Sequence, residues 1–405
     1  MNIKPLLIVG DGPTAKTGLG RIMGDLAIRI ATQMPDVYRV ATAGYSGEGS
    51  RHLPFQQYFL EGVTDFICPT LPQICEDFFG EERGIIFFIW DISRLGWFSQ
   101  PEQLGAESLK AFPGLKEWLV KGNFERWLYC PVDASGPNDA MTFPLKLALL
   151  GFDRILAYGQ FGEDVIRRTI GYEEADKRHL TYLPHGIDTD VFFPMPHAAA
   201  RKTFFKNTGA RPLVDIPIAP LQDSEALVGI VATNQSRKDW GMALEAVGIL
   251  SRKRPVRLWC HCDELERYWS IPALLADFGL LGNTVVSLGY LSDNAMARAY
   301  SACDVTIGPG AEGWGLPLAE SLACGTPCVT GSYAGGAALV TPLMRVSPTA
   351  FRLDGVYAQK RPIYDPAEWA DRADKWIGLR TKMDSQYDWN ELWPRWAEYL
   401  RKAAE

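Results

Sequence analysis

The reading of the chain turns on Gly308-Pro-Gly-Ala-Glu312-Gly-Trp-Gly-Leu-Pro-Leu-Ala-Glu320-Ser-Leu-Ala-Cys-Gly325-Thr-Pro-Cys-Val-Thr330. A short apolar run, Val305–Ile307, precedes it and reads as a strand end. Four glycines then punctuate eight residues. Pro317 stands where a first helical residue belongs, and Gly325 stands where a helix stops. The pattern is strand, glycine-rich loop, helix, strand. A loop of this kind presents free backbone N–H groups and the positive end of a helix dipole, which suits an anion such as a diphosphate.

The same grammar runs along the chain on both sides. Leu6–Val9, Val37–Ala43, Ile85–Trp90, Arg126–Cys130 and Arg154–Tyr158 read as strands, with a helix over 21–33. It restarts at Val228–Ala232, followed by a helix over 241–252 and strands at Val256–Cys260 and Thr284–Ser287. A helix over Asp293–Ala302 and a strand at Pro327–Thr330 complete the series. Strand–helix alternation twice over predicts an α/β protein of two doubly wound domains. The proline-rich stretch 193–220 marks the expected linker. The expected domains are therefore 1–195 and 220–384, and the tail 367–402 is helical.

The 405 residues suit two domains, with 47% hydrophobic and 22% charged residues. Disorder and collagen-like structure are excluded by that composition. The longest apolar run, Ile85–Trp90, is far short of the ~20 residues a membrane span needs. The N-terminus lacks a signal-peptide cleavage pattern, so eight reduced cysteines and a cytoplasmic location are expected. A net charge of −7 and a pI near 5.4 disfavour nucleic acid as a partner held by the whole field. The basic stretches 201–211 and 252–257 read as solvated surface. Thirteen tryptophans serve either as core or as sugar-facing surfaces.

Three look-alike motifs fail on their context. Gly10-Asp-Gly12-Pro-Thr-Ala15 fits a dinucleotide fingerprint, but the second strand ends without the required acid. Gly10 to Thr17 differs from a phosphate-binding P-loop at Ala15, where the second glycine belongs. Asp188-Thr-Asp190 resembles a metal-holding D-x-D, yet Pro184, Gly186 and Pro194 place it in an irregular connection. Cys260-His-Cys262 and Cys324/Cys328 lack zinc spacing. No metal and no cofactor are expected.

Glu320 follows Glu312 by eight positions, ~12 Å apart if the segment were all helical. Glycosidase acid pairs stand ~5–9.5 Å apart, so a hydrolytic dyad is not implied. Each carboxylate either grips a different part of an extended ligand or is a solvated acid on a βα turn.

The segment resembles the E-x7-E motif of glycosyltransferase family 4, retaining enzymes of the GT-B fold. Leu183-Pro-His-Gly-Ile-Asp-Thr-Asp-Val-Phe-Phe-Pro194 resembles the family's linker strand, with His185 in place of Asn. Leu291 to Val305 and Thr17-Gly-Leu-Gly-Arg21 resemble two further family segments. The variants nearest in pattern are bacterial and phage proteins.

The resemblance implies two Rossmann-like domains facing a central cleft. The N-domain takes the acceptor, the C-domain takes a nucleotide-sugar, and a tail helix at about 385–405 crosses back to the N-domain. It implies metal-independent hexosyl transfer from a nucleoside diphosphate sugar to a hydroxyl, with retention. UDP is favoured as the nucleotide and GDP is the alternative. Arg237 and Lys238 would neutralise the leaving diphosphate, although the common arginine position is occupied here by Thr233. Glu312 would hold donor-sugar hydroxyls and Glu320 the ribose diol. Gly313, Trp314 and Gly315 would offer backbone donors to sugar and phosphate. Gly18 and Gly20 would let the N-domain backbone approach the diphosphate. Tyr290 either contacts the nucleobase or is core. Asp133 and Asp91 follow two strand ends, where they either orient an acceptor hydroxyl or cap the following turns. The alternatives kept open are a nucleotide-sugar-binding protein without turnover and, as acceptor, a modified base in phage DNA.

Overall fold

The computed structural model describes residues 3–47, 49, 52–63, 66–104, 112–214, 217 and 219–405. The chain forms two compact units. One comprises Met1–His185 with Trp393–Glu405, and the other comprises Gly186–Leu392.

The first unit is built on seven strands: β1 (Lys4–Gly10), β2 (Tyr38–Gly44), β3 (Gln56–Phe59), β4 (Gly84–Ile89), β5 (Phe124–Cys130), β6 (Arg154–Ala157) and β7 (Thr181–Tyr182). They pair in parallel in the order β3-β2-β1-β4-β5-β6-β7. Every residue of β4 is buried, which is why its sequence reads as an unbroken apolar run. The order reverses between β1 and β4, so the loops leaving those two strands diverge and open a crevice. The helix Gly18–Gln33 follows β1 and is started by Thr17, whose hydroxyl accepts from the Gly20 N–H.

The second unit repeats the plan with β8 (Arg211–Pro212), β9 (Ala226–Val231), β10 (Val256–Cys262), β11 (Thr284–Leu288), β12 (Val305–Gly308), β13 (Cys328–Gly331) and β14 (Arg345–Val346). Their order is β14-β13-β12-β9-β10-β11-β8, all parallel except the short β8. Here the order reverses between β9 and β12. Trp240, Leu244, Val247, Leu258, Ile230 and Trp369 are among the buried residues that pack the helices onto this sheet. A separate antiparallel hairpin joins β15 (Ala350–Asp354) to β16 (Gln359–Ile363). No helix among the described residues is long and apolar enough to cross a membrane.

Two expectations change. The stretch 193–220 is not an unstructured linker throughout, because His197–Thr208 is a helix of the second unit. Its prolines flank the helix, and Ala200, Phe204 and Thr208 recur at four-residue spacing on its buried face. Phe204 meets Trp259 edge-on at 5.6 Å. The tail is two helices, Pro366–Trp376 and Trp389–Ala404, parted at Gly378 with φ +82°. From Trp393 the last helix belongs to the first unit. There Trp396 and Leu400 are fully buried, and the Trp396 indole donates to the Pro184 carbonyl at 2.8 Å.

Candidate functional site

In the second unit the site grows from the two strand ends that flank the order reversal. β9 runs into Ala232–Asp239 and β12 runs into Pro309–Gly315. The two loops meet backbone to backbone. Gly310 has φ +77°, and a Cβ there would lie 1.8 Å from the Arg237 carbonyl oxygen. That approach delivers Arg237 and Lys238 to Glu312. Lys238 Nζ donates to Glu312 Oε1, and Arg237 Nη1 donates to Glu312 Oε2 at 3.3 Å and to the Ala311 carbonyl at 3.1 Å.

Asn234 anchors the first loop from behind. Its amide donates to the Glu264 and Trp269 carbonyls at 3.1 and 2.8 Å and accepts from the Trp269 N–H at 2.9 Å. Lys238 is 6% exposed and faces the loop junction, while the Arg237 side chain is half-buried beside it. Burial pushes the Glu312 carboxyl up. The Lys238 and Arg237 charges outweigh burial and hold it below the usual carboxylate range.

Glu320 stands apart from this trio. The helix Leu316–Ala323 begins only after Gly315, which has φ +106°, so the eight-residue spacing from Glu312 is not helical and the ~12 Å figure does not apply. No side chain caps this helix at its N-terminus. Glu320 is 5% exposed and accepts from the Tyr300 hydroxyl at 2.9 Å. It is therefore not a solvated acid on a turn. Burial and the Glu320 charge push the Tyr300 hydroxyl up.

The Trp314 side chain is buried edge-on to Tyr387 at 5.9 Å, which leaves the loop's backbone as the part able to meet a ligand. Ten of the thirteen tryptophans are buried, and Trp118, Trp269 and Trp376 are half-buried. Tyr290 is 58% exposed and hence not core.

In the first unit, Asp11 follows β1 and Trp90 and Asp91 follow β4, again at the order reversal. Asp11 accepts from Thr17 Oγ1 at 2.6 Å and from the Trp90 indole at 2.8 Å. Gly18 opens the helix after β1 and is exposed. Gly20 is buried, and a Cβ there would strike the Ala15 and Gly12 carbonyl oxygens at 2.6 and 2.8 Å. Its smallness seats the loop on the helix. Asp91 caps the turn Ile92–Arg94 by accepting from the Ser93 N–H at 2.9 Å. Burial and the charge of Asp133, at the end of the neighbouring β5, push its carboxyl up. The two acids are thus electrostatic neighbours, and the capping role of Asp91 is real.

His185 is buried against Tyr129 and Tyr158, where burial and the nearby Arg21 charge push its imidazole down to about 3. Asp188 accepts from the Asp190 N–H at 3.0 Å and forms a turn. No group of three or more metal-ligating side chains occurs among the described residues.

Asp11, Asn234, Tyr300 and Arg94 were not among the expected site residues. Asp11 had a signal, an acid between two glycines directly after a strand. The others act through partners distant in sequence.

Residues 215–344 match the family described as glycosyl transferases group 1. The chain is 26% identical over 263 residues to the D-inositol 3-phosphate glycosyltransferase of Thermobispora bispora, covering 59% of this chain and 54% of that protein. It spans about half the length of the curated relatives that it matches. In structure it is similar to a sucrose-phosphate synthase from Thermosynechococcus elongatus, with a TM-score of 0.67, 16% identity and 99% of each chain covered. It is also similar to Anabaena Alr3699/HepE in complex with UDP and glucose, with a TM-score of 0.66 and 13% identity over 98% of this chain and 100% of that one. The Arg237–Lys238–Glu312 cluster and Glu320 all lie inside the matched segment. The chain thus has the GT-B fold, and its residues 215–344 are similar to the glycosyl transferases group 1 family.

Proposed function

We propose that the protein is a retaining glycosyltransferase that moves a sugar from a nucleoside diphosphate sugar to an acceptor hydroxyl. The observation that carries this reading is the convergence of Arg237 and Lys238 on Glu312 at the order reversal of the second sheet. Departure of a nucleoside diphosphate develops negative charge. A cation pair fixed before the reaction lowers that barrier without reorganisation. In this reading Glu312 both aligns the cations and accepts from donor-sugar hydroxyls. Glu320, which accepts from the Tyr300 hydroxyl, also accepts from the ribose diol.

Gly313 and Gly315 offer backbone N–H groups beside an uncapped helix start. Since the cations supply the electrostatic stabilisation, the reaction runs without metal or cofactor, and the acceptor proton passes to a leaving-phosphate oxygen. UDP is the favoured nucleotide, in keeping with the UDP and glucose bound by a protein of the same fold, and GDP is the alternative.

The test is release of nucleoside diphosphate from a panel of nucleotide sugars, followed by kinetics of Lys238→Ala and Arg237→Lys. Lys238→Ala is expected to lower kcat ~10²–10³-fold with a smaller rise in donor KM, because the contact strengthens toward the transition state. Arg237→Lys is expected to recover only part of the rate, since a point charge does not reproduce a planar fork. Wild-type kcat in both variants removes the pair from the mechanism. A wild type that binds the nucleotide sugars without ever releasing nucleoside diphosphate would make the protein a binding module.

A further inference from the structure

The order reversal of the first sheet carries a second charged group that the donor chemistry leaves unused. Arg94 sits on the turn capped by Asp91. Its Cζ lies 4.4 Å from the centroid of the Phe66 ring and 5.7 Å from that of Trp90. Its Nη1 is 3.8 Å from Asp11 Oδ1, close enough for an ion pair and too far for a hydrogen bond. Asp11 already accepts one short bond at each oxygen, from Thr17 and from Trp90. The Arg94 guanidinium therefore lies against aromatic faces and beside a carboxylate, while none of its side-chain N–H groups bonds to a described residue. Its side chain is 34% exposed.

We propose that Arg94 selects an acceptor bearing an anionic group, a phosphate or a carboxylate, and that Asp11 is its positioning residue. A guanidinium presents five N–H donors in a fork that matches two oxygens of one anion. A neutral polyol is served by the acceptor oxygens of Asp91 and Asp133, and a guanidinium adds most where the ligand carries negative charge, since charge-assisted hydrogen bonds are the stronger ones. Asp11 balances part of the Arg94 charge, and Asp91 and Asp133 repel an anion on their side, which leaves the exposed part of the Arg94 fork to hold it and the acids for hydroxyls. Asp11 is 8% exposed and joins the loop after β1, the helix start at Thr17 and the Trp90 ring. Arg94 is thereby referred to the rigid edge of the sheet.

The word acceptor rests on the transferase reading, whereas the anion site does not. The experiment is calorimetry of the full chain with glucose, glucose 6-phosphate and glucuronate, without nucleotide, in the wild type, Arg94→Gln, Arg94→Lys and Lys238→Ala. The wild type is expected to bind at least one anionic probe about 10–100-fold more tightly than glucose, the range of a charge-assisted hydrogen-bond pair. Preference for both anions identifies a reader of charge, and preference for one names its source. Arg94→Gln should bring the ratio close to one, Arg94→Lys should keep part of it, and Lys238→Ala should keep it whole.

The proposal is overturned if the wild type shows no preference or if Arg94→Gln retains it. It is equally overturned if Lys238→Ala abolishes the preference, since the anion then sits in the second unit. Should Arg94→Gln unfold, Arg94→Lys decides: a ratio equal to wild type counts against the planar fork. Nucleoside diphosphate release with a selectivity indifferent to Arg94 sinks this proposal alone. Arg94-dependent anion binding without any such release sinks the transferase reading alone.

Discussion

Asp91 shows how one side chain carries two opposing terms. Its carboxylate caps a turn, and burial beside Asp133 penalises its charge. An acid whose folded pKa is raised binds its proton more tightly in the folded state. Its contribution to stability is therefore fully present at acid pH and is lost as pH rises through the folded value. Asp91→Asn keeps an oxygen for the Ser93 N–H and removes the charge. We expect a melting temperature at pH 7 equal to or above wild type, with turnover reduced ~10-fold or more if the carboxylate orients an acceptor hydroxyl. A fall of several degrees would assign Asp91 to structure.

His185 behaves in the other sense. Its folded value of about 3 against an ordinary 6.5 means that the unfolded chain binds a proton that the folded chain refuses. Stability should then fall as pH drops from 6.5 toward 3, by about 1.4 kcal/mol per pH unit from this group alone. In urea titrations across that range, His185→Asn is expected to give a shallower slope by this amount. Parallel slopes would show that the buried imidazole is not responsible.

At the scale of elements, the junction of the loops after β9 and β12 requires a glycine at position 310. Gly310 adopts φ +77° and lies directly against the Arg237 carbonyl. Gly279 adopts a similar φ of +71°, and a Cβ there would meet nothing within 4 Å. The two separate backbone strain from steric exclusion. Gly279→Ala should cost only the left-handed penalty, about 1–2 kcal/mol. Gly310→Ala must also part the two loops, and so should lower stability further and reduce nucleoside diphosphate affinity at least ~10-fold through displaced cations. Equal melting temperatures and equal affinities for the two variants would show that the loops yield easily.

At the scale of the molecule, the chain closes on itself: its last helix begins in the second unit and ends as part of the first. Trp396 is fully buried there, against Tyr129 at 5.2 Å and under the Pro184 carbonyl, and the Tyr38 hydroxyl donates to the Leu400 carbonyl at 2.7 Å. Trp396→Ala should destabilise the first unit by about 3–5 kcal/mol, the usual effect of removing a large buried aromatic. Hydrogen exchange of β1 and β5 amides is the measurement. Wild-type exchange rates in those strands would mean that the terminal helix is not part of that core.

Much of this was legible in the residues. Central parallel strands are buried on both faces, so β1, β4 and β9 leave near-continuous apolar runs. The helix Asp293–Ala302 falls on its expected span, and the Ser292 side chain caps it by accepting from the Ala295 N–H. Short edge strands such as β3, β7 and β8 bury too little to leave a pattern, and prolines around His197–Thr208 disguised a helix whose apolar face is narrow.

The residue types of the candidate site were also readable, because a cation pair and two acids near glycine-rich turns announce phosphate and hydroxyl chemistry. Their partnerships were not. Lys238 and Glu312 are 74 residues apart, and Asp11 and Trp90 are 79 apart. What joins each pair is the order of strands in a sheet, which makes β9 a neighbour of β12 and β1 a neighbour of β4. Local sequence determines which segments become strands and where their loops begin. Only the packing of whole sheets determines which loops share an edge, since strand order is settled by the burial of every helix and strand at once.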